Sequence, residues 1–137
     1  MILLDTSGML AYFDPKDRQH AAVRAIMTTS RPPRLLSPFI LAEMDYLVSS
    51  RIGQQAELLL LDDVAIGAYR LEAFDAGDIA SAKQIVGQYS GLNIGLADAS
   101  IVVLAERFKH YDVLTLDGHF RAMSAAGVPF RLLPSDI

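Results

Sequence analysis

The stretch MILLDTS, residues 1–7, sets the fold of this chain, because four apolar side chains precede an acid and two hydroxyl residues. A short apolar run of this kind is typical of a strand that is covered on both faces in a parallel sheet. The same pattern returns in VLTLD, residues 113–117. Because the carboxyl ends of parallel strands meet at one edge of a sheet, Asp5 and Asp117 are predicted to emerge at that edge.

Apolar runs and helical periodicity alternate along the rest of the chain. The predicted strands are Met1–Leu4, Arg34–Ser37, Tyr69–Phe74, Val113–Leu116 and Phe130–Leu133. The predicted helices are Ser7–Phe13, Asp17–Thr29, Pro38–Ile52, Gln54–Ile66, Asp75–Tyr89, Leu96–Lys109 and a short Phe120–Ala125. Asp17 and Asp75 are the predicted N-caps, the latter in a capping pair with Asp78. This alternation predicts an α/β fold, with a short, mainly parallel β-sheet flanked by helices.

The composition is that of one globular domain, residues 1–137, with 52% apolar residues. No apolar run is long enough to span a bilayer, and the absence of cysteine excludes disulfides and thiolate metal sites. A cytoplasmic setting is the simplest expectation. The net charge of −4 argues mildly against nucleic-acid binding, unless acids hold divalent cations that cancel it. The apolar surplus suggests an interface with a second copy or a partner, with a large core as the alternative.

Glu43 lies in a predicted helix whose apolar stripe contains Ile40, Met44 and Val48. At about 100° per residue, Glu43 falls at the edge of that stripe, whereas Asp45 falls on the far side and is expected in water. We therefore expect Glu43 to face inward at the rim of a site.

Asp98 lies three residues before Ile101 and seven before Ala105, which places it on the buried side of its predicted helix. It is also close to the helix N-terminus, where the macrodipole stabilises an anion. A capping or first-turn role explains an acid here, but it does not require the inward face.

Each of these acids has a structural alternative: Asp5 a helix cap, Asp117 a turn with Gly118, Glu43 a boundary residue and Asp98 a first-turn acid. Isolated acids in apolar surroundings are costly unless they are paired or bound to metal. Four of them at one sheet edge would suit a hard divalent cation. The pattern therefore favours metal-assisted phosphodiester chemistry.

The three histidines, His20, His110 and His119, lack metal-ligand spacing. His119 follows Asp117 closely and could touch a substrate, although a surface or packing histidine is more common. No phosphate-binding glycine loop, serine nucleophile motif or HExxH zinc motif is present.

Four short motifs, in this order, resemble those of the PIN domain family, and more narrowly of the VapC-type ribonuclease toxins of toxin–antitoxin pairs. They are LDTS at 4–7, PxxxAE at 38–43, LADA at 96–99 and LTLDxHF at 114–120. Two further stretches, AYFD at 11–14 and HAA at 20–22, also fit. The match covers essentially the whole chain, and the ordered set is specific although each motif alone is weak.

The resemblance implies a PIN-like fold and an endoribonuclease that needs Mg²⁺, with Mn²⁺ as a substitute. It assigns the metal-binding and catalytic quartet to Asp5, Glu43, Asp98 and Asp117. Asp5 and Asp98 would be the most direct ligands, and the hydroxyls of Thr6 and Thr115 would support the site. Gly118 departs from relatives, which commonly carry a larger, often basic residue there.

The resemblance also implies RNA as the substrate and a homodimer as the assembly. It implies a cognate antitoxin whose tail covers the acidic groove, in a heterotetramer or a larger complex.

Two alternative functions stay open. An aspartyl phosphatase or phosphotransferase would use Asp5 as nucleophile, but such enzymes have a second Asp where this chain has Ser7. A non-catalytic PIN-like module that binds RNA or protein is less expected, because all four acids are present.

Overall fold

The computed structural model describes residues 1–137 and contains a five-stranded sheet whose neighbouring strands are all parallel. The strands of the sheet are β1 (Ile2–Leu4), β2 (Arg34–Leu36), β3 (Arg70–Leu71), β4 (Asp112–Leu114) and β7 (Arg131–Leu133). Their order across the sheet is β3-β2-β1-β4-β7. The predicted α/β fold with a mainly parallel sheet is confirmed.

The chain reverses its direction of travel across the sheet between β1 and β4. From β1 it proceeds to β2 and β3 on one side, and then returns to β4 and β7 on the other. Leu3 pairs with Leu35 on one side and with Val113 on the other. Ligand sites of open α/β sheets lie outside the carboxyl ends of the strands at such a reversal, which is where Asp5 and Asp117 emerge.

The helices flank this sheet and end close to the predicted positions. They are α1 (Thr6–Phe13), α2 (His20–Thr29), α3 (Pro38–Arg51), α4 (Gln54–Ala65), α5 (Ala76–Gln88) and α6 (Leu96–Phe108). At the start of α5, Asp75 and Asp78 each accept a hydrogen bond of 2.9 Å from the other's backbone N–H, so the predicted capping pair is confirmed. None of these helices is long and apolar enough to cross a membrane.

Two predictions near helix ends are wrong. Asp17 does not cap α2, which begins at His20; instead its Oδ1 accepts a 2.8 Å hydrogen bond from the backbone N–H of Gln19 in the preceding turn. The predicted helix Phe120–Ala125 is replaced by a 3₁₀ helix over Gly118–Ala122 and a hairpin of β5 (Ser124–Ala125) with β6 (Val128–Pro129). The hairpin loop has positive φ at both central residues, Ala126 and Gly127, which is the geometry of a tight two-residue turn.

The core is one cluster of 32 buried apolar residues between the sheet and the helices. Helix α6 contributes seven consecutive buried residues, Ala99–Ala105. Helix α1 approaches β4 so closely that a Cβ on Gly8 would lie 2.5 Å from the Leu114 carbonyl oxygen. This approach brings the beginning of α1, and with it Asp5, against the segment that follows β4.

Candidate active site

All four predicted acids line one cavity of about 230 Å³ at the carboxyl edge of the sheet. Asp5 follows β1, Glu43 lies on α3, Asp98 lies in the first turn of α6, and Asp117 follows β4 by three residues. The structure therefore brings together side chains that are separated by up to 112 positions in the sequence. The rest of the lining consists of Thr6, Ser7, Leu10 and Leu47.

Asp5 is the most deeply buried of the four carboxylates, with 3% of its surface exposed. It precedes α1 in the N-cap position, but its carboxylate makes no capping hydrogen bond, so a cap does not account for the acid. Its Oδ2 accepts hydrogen bonds from the hydroxyls of Thr115 (2.7 Å) and Ser7 (2.9 Å). Burial raises the pKa of Asp5 to about 6 although these hydroxyls lower it, and the nearby charge of Asp98 raises it further.

Two hydroxyls connect the strand ends around Asp5. The Oγ of Ser7 lies 3.2 Å from Oγ1 of Thr115 and accepts a 2.9 Å hydrogen bond from the Leu116 backbone N–H. Oγ1 of Thr115 accepts a bond of the same length from the Asp117 N–H. Thr115 therefore makes the hydroxyl contacts that were expected of it.

Thr6 does not make the contact that was expected of it. Its hydroxyl is buried and has no hydrogen-bond partner, and Ser7 contacts Asp5 in its place. Ser7 was not among the site residues expected from the sequence. The available signal was its position two residues after Asp5, from which a hydroxyl at the start of a helix can reach back to the acid.

Asp98 is half-buried and belongs to α6, whose first turn contains it. Burial raises its pKa, His119 lowers it and the charge of Asp117 raises it. Asp117 is held in a turn, because its Oδ1 accepts a 3.1 Å hydrogen bond from the His119 backbone N–H. The turn described as an alternative for Asp117 thus exists, and it holds the carboxylate at the cavity.

His119, for which a surface or packing role was the favoured expectation, also belongs to the site. Its Nε2 lies 3.0 Å from Oδ2 of Asp117 and 3.4 Å from Oδ2 of Asp98, so the imidazole bridges two of the four acids. The signal was its place two residues after Asp117. The surface or packing role favoured for this histidine is wrong, because the ring faces the carboxylates.

Glu43 lines the open side of the cavity, and its surface is exposed rather than turned toward the core. The expected inward orientation is therefore wrong, although the expected place at the rim is correct. Asp45 also differs from expectation: it is half-buried, and its carboxylate lies close enough to Glu57 of α4 to raise the pKa of that glutamate. Helix α4 packs beside α3 and shields Asp45 from water. The apolar periodicity of α3 alone could not predict this.

The cavity carries negative charge that no lysine or arginine compensates. No lysine or arginine forms an ion pair with any of the four acids, and only His119 lies within 4.0 Å of two of them. No three of the chain's acids and imidazoles are close enough, as placed, to enclose an ion by themselves. Mg²⁺ does not require that, because it usually keeps several waters and uses one or two carboxylates. The oxygen donors and the unpartnered Thr6 hydroxyl beside them therefore fit a hydrated magnesium ion.

The arrangement defines a class of α/β protein with an acidic site at the sheet's reversal point, and comparison with known proteins identifies it. A family model described as "PIN domain" matches residues 2–126, and the chain belongs to this family. Ribonuclease VapC26 of Mycobacterium tuberculosis is 43% identical over 127 residues, which cover 92% of this chain and 94% of that protein.

Solved structures share the fold. The chain is similar to the crystal structure of Mycobacterium tuberculosis VapC20, described as a Sarcin-Ricin loop cleaving toxin, with a TM-score of 0.82. The two are 21% identical, and the match covers 93% of this chain and 96% of the other. FitAcB from Neisseria gonorrhoeae matches with a TM-score of 0.69 and 25% identity over 96% of this chain and 97% of that one. The resemblance to the PIN domain family inferred from the motifs is thus confirmed.

Proposed function

We propose that this chain is a metal-dependent endoribonuclease that acts as the toxin of a toxin–antitoxin pair. The observation that carries this proposal is the cavity at which Asp5, Glu43, Asp98 and Asp117 meet without a lysine or arginine among them. Four acids gathered without compensating cations are costly unless a cation joins them. The 43% sequence identity to Ribonuclease VapC26, which extends over nearly the whole of both chains, supports RNA as the substrate.

Asp5 and Asp98 are the proposed ligands of a Mg²⁺ ion, with Glu43 and Asp117 nearer the open side. A bound magnesium ion supplies activation of a water molecule and neutralisation of phosphate charge, the ordinary chemistry of metal-assisted phosphodiester hydrolysis. Manganese has the same preference for oxygen ligands and is the expected substitute. In this arrangement the carboxylates are ligands, and no side chain of the protein has to attack the RNA.

The residues around the acids fix their orientation. The hydroxyls of Ser7 and Thr115 both donate to Oδ2 of Asp5, which fixes the orientation of this carboxylate. The turn at Asp117 fixes its Oδ1, and Nε2 of His119 lies 3.0 Å from Oδ2 of Asp117 and 3.4 Å from Oδ2 of Asp98. We propose His119 as a positioning residue for these two carboxylates, because partners of metal ligands set ligand orientation.

The test is cleavage of labelled total RNA by the purified protein with Mg²⁺ or Mn²⁺. We expect cutting that stops in EDTA and falls by several orders of magnitude in Asp98→Ala, since a ligand of the proposed ion is lost. Asp62→Ala, an exposed acid on α4, is the matched control and should cut normally. Cutting that survives EDTA or the Asp98 substitution would contradict the proposed site. No cutting by folded, metal-loaded protein free of antitoxin would favour a binding module.

The phosphotransferase alternative loses support from the structure. In such an enzyme Asp5 would be the nucleophile, but its Oδ2 holds two hydroxyl donors, Ser7 and Thr115. Ser7, which occupies the position of the second acid in such enzymes, is one of those donors. A phosphoaspartate trapped at Asp5 would restore this alternative.

We also propose a cognate antitoxin and a homodimer, as the resemblance implied. Large apolar side chains are exposed along the end of α3 and along α4, including Tyr46 (70%), Leu59 (60%) and Ile66 (80%). Exposure of this kind on neighbouring helices is typical of a protein interface. An arginine on the antitoxin would complement the uncompensated carboxylates. Light scattering on the purified chain, alone and with its antitoxin, tests the assembly; a monomer at all concentrations would contradict the dimer.

A further inference from the structure

A second, larger cavity adjoins the carboxylate cavity at Asp117, which lines both. Its volume is about 690 Å³, within the range of ligand sites. It is bounded by the turn before α2, by the segment Thr115–Gly118 after β4, and by Arg121 and the C-terminal residues Pro134 and Ser135. A substrate that lies across the four acids would therefore extend into this space.

The cavity contains one unpaired cation. Arg121 is held by Asp136 and Ser135, with its Nη2 2.6 Å from Oδ1 of Asp136 and 3.0 Å from Oγ of Ser135, so its charge is neutralised. Arg18 also lines the cavity and is exposed, and it takes part in none of the chain's ion pairs or side-chain hydrogen bonds. The adjacent Asp17 accepts a backbone hydrogen bond from Gln19. Arg18 is thus the guanidinium available to a phosphate at this end of the site.

The other surfaces of the cavity suit the remaining parts of a nucleotide. Leu116, 40% exposed, offers an apolar face directly before Asp117. The side-chain amide of Gln19 has no partner within the chain and provides both donor and acceptor. Gly118 leaves the cavity open, because a Cβ built on it would meet nothing within 4 Å.

We propose that this cavity is the subsite for the nucleotide next to the scissile phosphate, with Arg18 on an RNA phosphate, Gln19 at the base edge and Leu116 against the base. This inference rests on the proposed ribonuclease function. It assigns the cavity to RNA rather than to a protein segment, because a free guanidinium beside an apolar face and an amide matches the repeating phosphate and base of a nucleic acid. Single-stranded RNA is the form whose bases can enter such a site.

The test measures binding of a short, fluorescently labelled, mixed-sequence single-stranded RNA by anisotropy. The parent protein is Asp98→Asn in EDTA, so that no cleavage occurs and one negative charge is removed. Gly118→Trp fills the cavity and should weaken binding about tenfold. Gly87→Trp, on the exposed face of α5 with equally open space, is the matched control and should bind within twofold.

Charge is tested separately at Arg18. Arg18→Gln should weaken binding about fivefold to tenfold and lower the slope of log affinity against log salt by about 0.7, the value for one phosphate contact on a single strand. Arg18→Lys keeps the positive charge and should therefore keep most of the parent's slope of log affinity against log salt. Arg24→Gln, on an exposed position of α2 outside this cavity, is the control and should leave the slope unchanged.

Any of three results would overturn the subsite. The first is equal RNA binding by the Gly118→Trp and Gly87→Trp proteins, and the second is an unchanged salt slope in Arg18→Gln. The third is the absence of RNA binding by the parent at low salt. A Gly118→Trp protein that keeps its RNA affinity but no longer copurifies with its antitoxin would show that the antitoxin, and not RNA, occupies the cavity. If the unmodified chain cuts RNA while these variants bind normally, the proposed function stands and the subsite fails.

Discussion

Replacing Asp5 with asparagine should stabilise the metal-free protein at neutral pH. The pKa of Asp5 lies at about 6 in the folded state, above its ordinary value of 3.8, chiefly because the side chain is buried. At pH values between 3.8 and about 6, the Asp5 carboxyl holds its proton in the folded state and loses it in the unfolded state. Stability contributed by the protonated acid is therefore lost as the pH rises through this window. A pKa difference of this size corresponds to a cost of about 3 kcal/mol once Asp5 is ionised.

The asparagine side chain introduced by Asp5→Asn would keep the local contacts. Its carbonyl oxygen can accept the hydrogen bonds that Ser7 and Thr115 now donate to Oδ2 of Asp5, and it carries no charge to desolvate. We expect the variant and the parent to be about equally stable near pH 4 and the variant to be more stable by about 3 kcal/mol near pH 8. The measurement is urea unfolding in EDTA across that range, at one protein concentration.

Two comparisons sharpen this prediction. Asp62→Asn, at an exposed acid of α4, is the control and should change stability by no more than about 0.5 kcal/mol. Added Mg²⁺ should stabilise the parent more than Asp5→Asn, because only the parent offers this carboxylate to the cation. A stability difference at Asp5 that stays flat with pH, or an asparagine variant that is less stable near pH 8, would refute the reasoning from burial.

Three other contacts can be tested by substitution. Gly8→Ala should destabilise the protein by about 1–3 kcal/mol, because the added Cβ meets the Leu114 carbonyl at 2.5 Å; an unchanged urea midpoint would contradict that close approach. His119→Ala should lower kcat or Mg²⁺ affinity about tenfold to a hundredfold, because Asp98 and Asp117 lose the imidazole that lies between them. Steady-state cleavage measures kcat and a metal titration measures the affinity. Normal values of both would show that His119 is not a positioning residue. Asp75→Ala should cost about 1 kcal/mol through loss of the helix cap without changing cleavage, and reduced cutting by the folded variant would show that α5 affects the site.

The parts of the fold that were predicted correctly depend on local pattern. The strands at Ile2–Leu4 and Asp112–Leu114 follow from short apolar runs, and the alternation with helices gives a parallel sheet. The capping pair at Asp75 follows from residue types three positions apart. By contrast, the prediction of a helix over Phe120–Ala125 is wrong. The hairpin found there requires a positive φ at Ala126, a conformation that an alanine rarely adopts and that its residue type does not predict.

The candidate site divides in the same way. Motif order selected the four acids, and the structure places all of them around one cavity. Local periodicity could not reveal that Glu43 is exposed or that Asp45 is shielded by a neighbouring helix, because those facts depend on what packs alongside α3. Ser7, in the first turn of α1, and His119, in the 3₁₀ helix after Asp117, reach the acids with side-chain directions that are set only in the folded chain.

Sequence pattern predicted the α/β class and the acids that follow the strands, because these depend on periodicity and on residue types at fixed spacing. The family was indicated by the resemblance of four ordered motifs. Only the folded chain shows which hydroxyls hold Asp5 and that His119 bridges Asp98 and Asp117. The rise of the Asp5 pKa to about 6 and the cavity with a free Arg18 beside the carboxylates also belong to the folded chain. Desolvation, hydrogen-bond distances and the shape of a cavity all arise from contacts between residues far apart in the chain, and no local pattern encodes them.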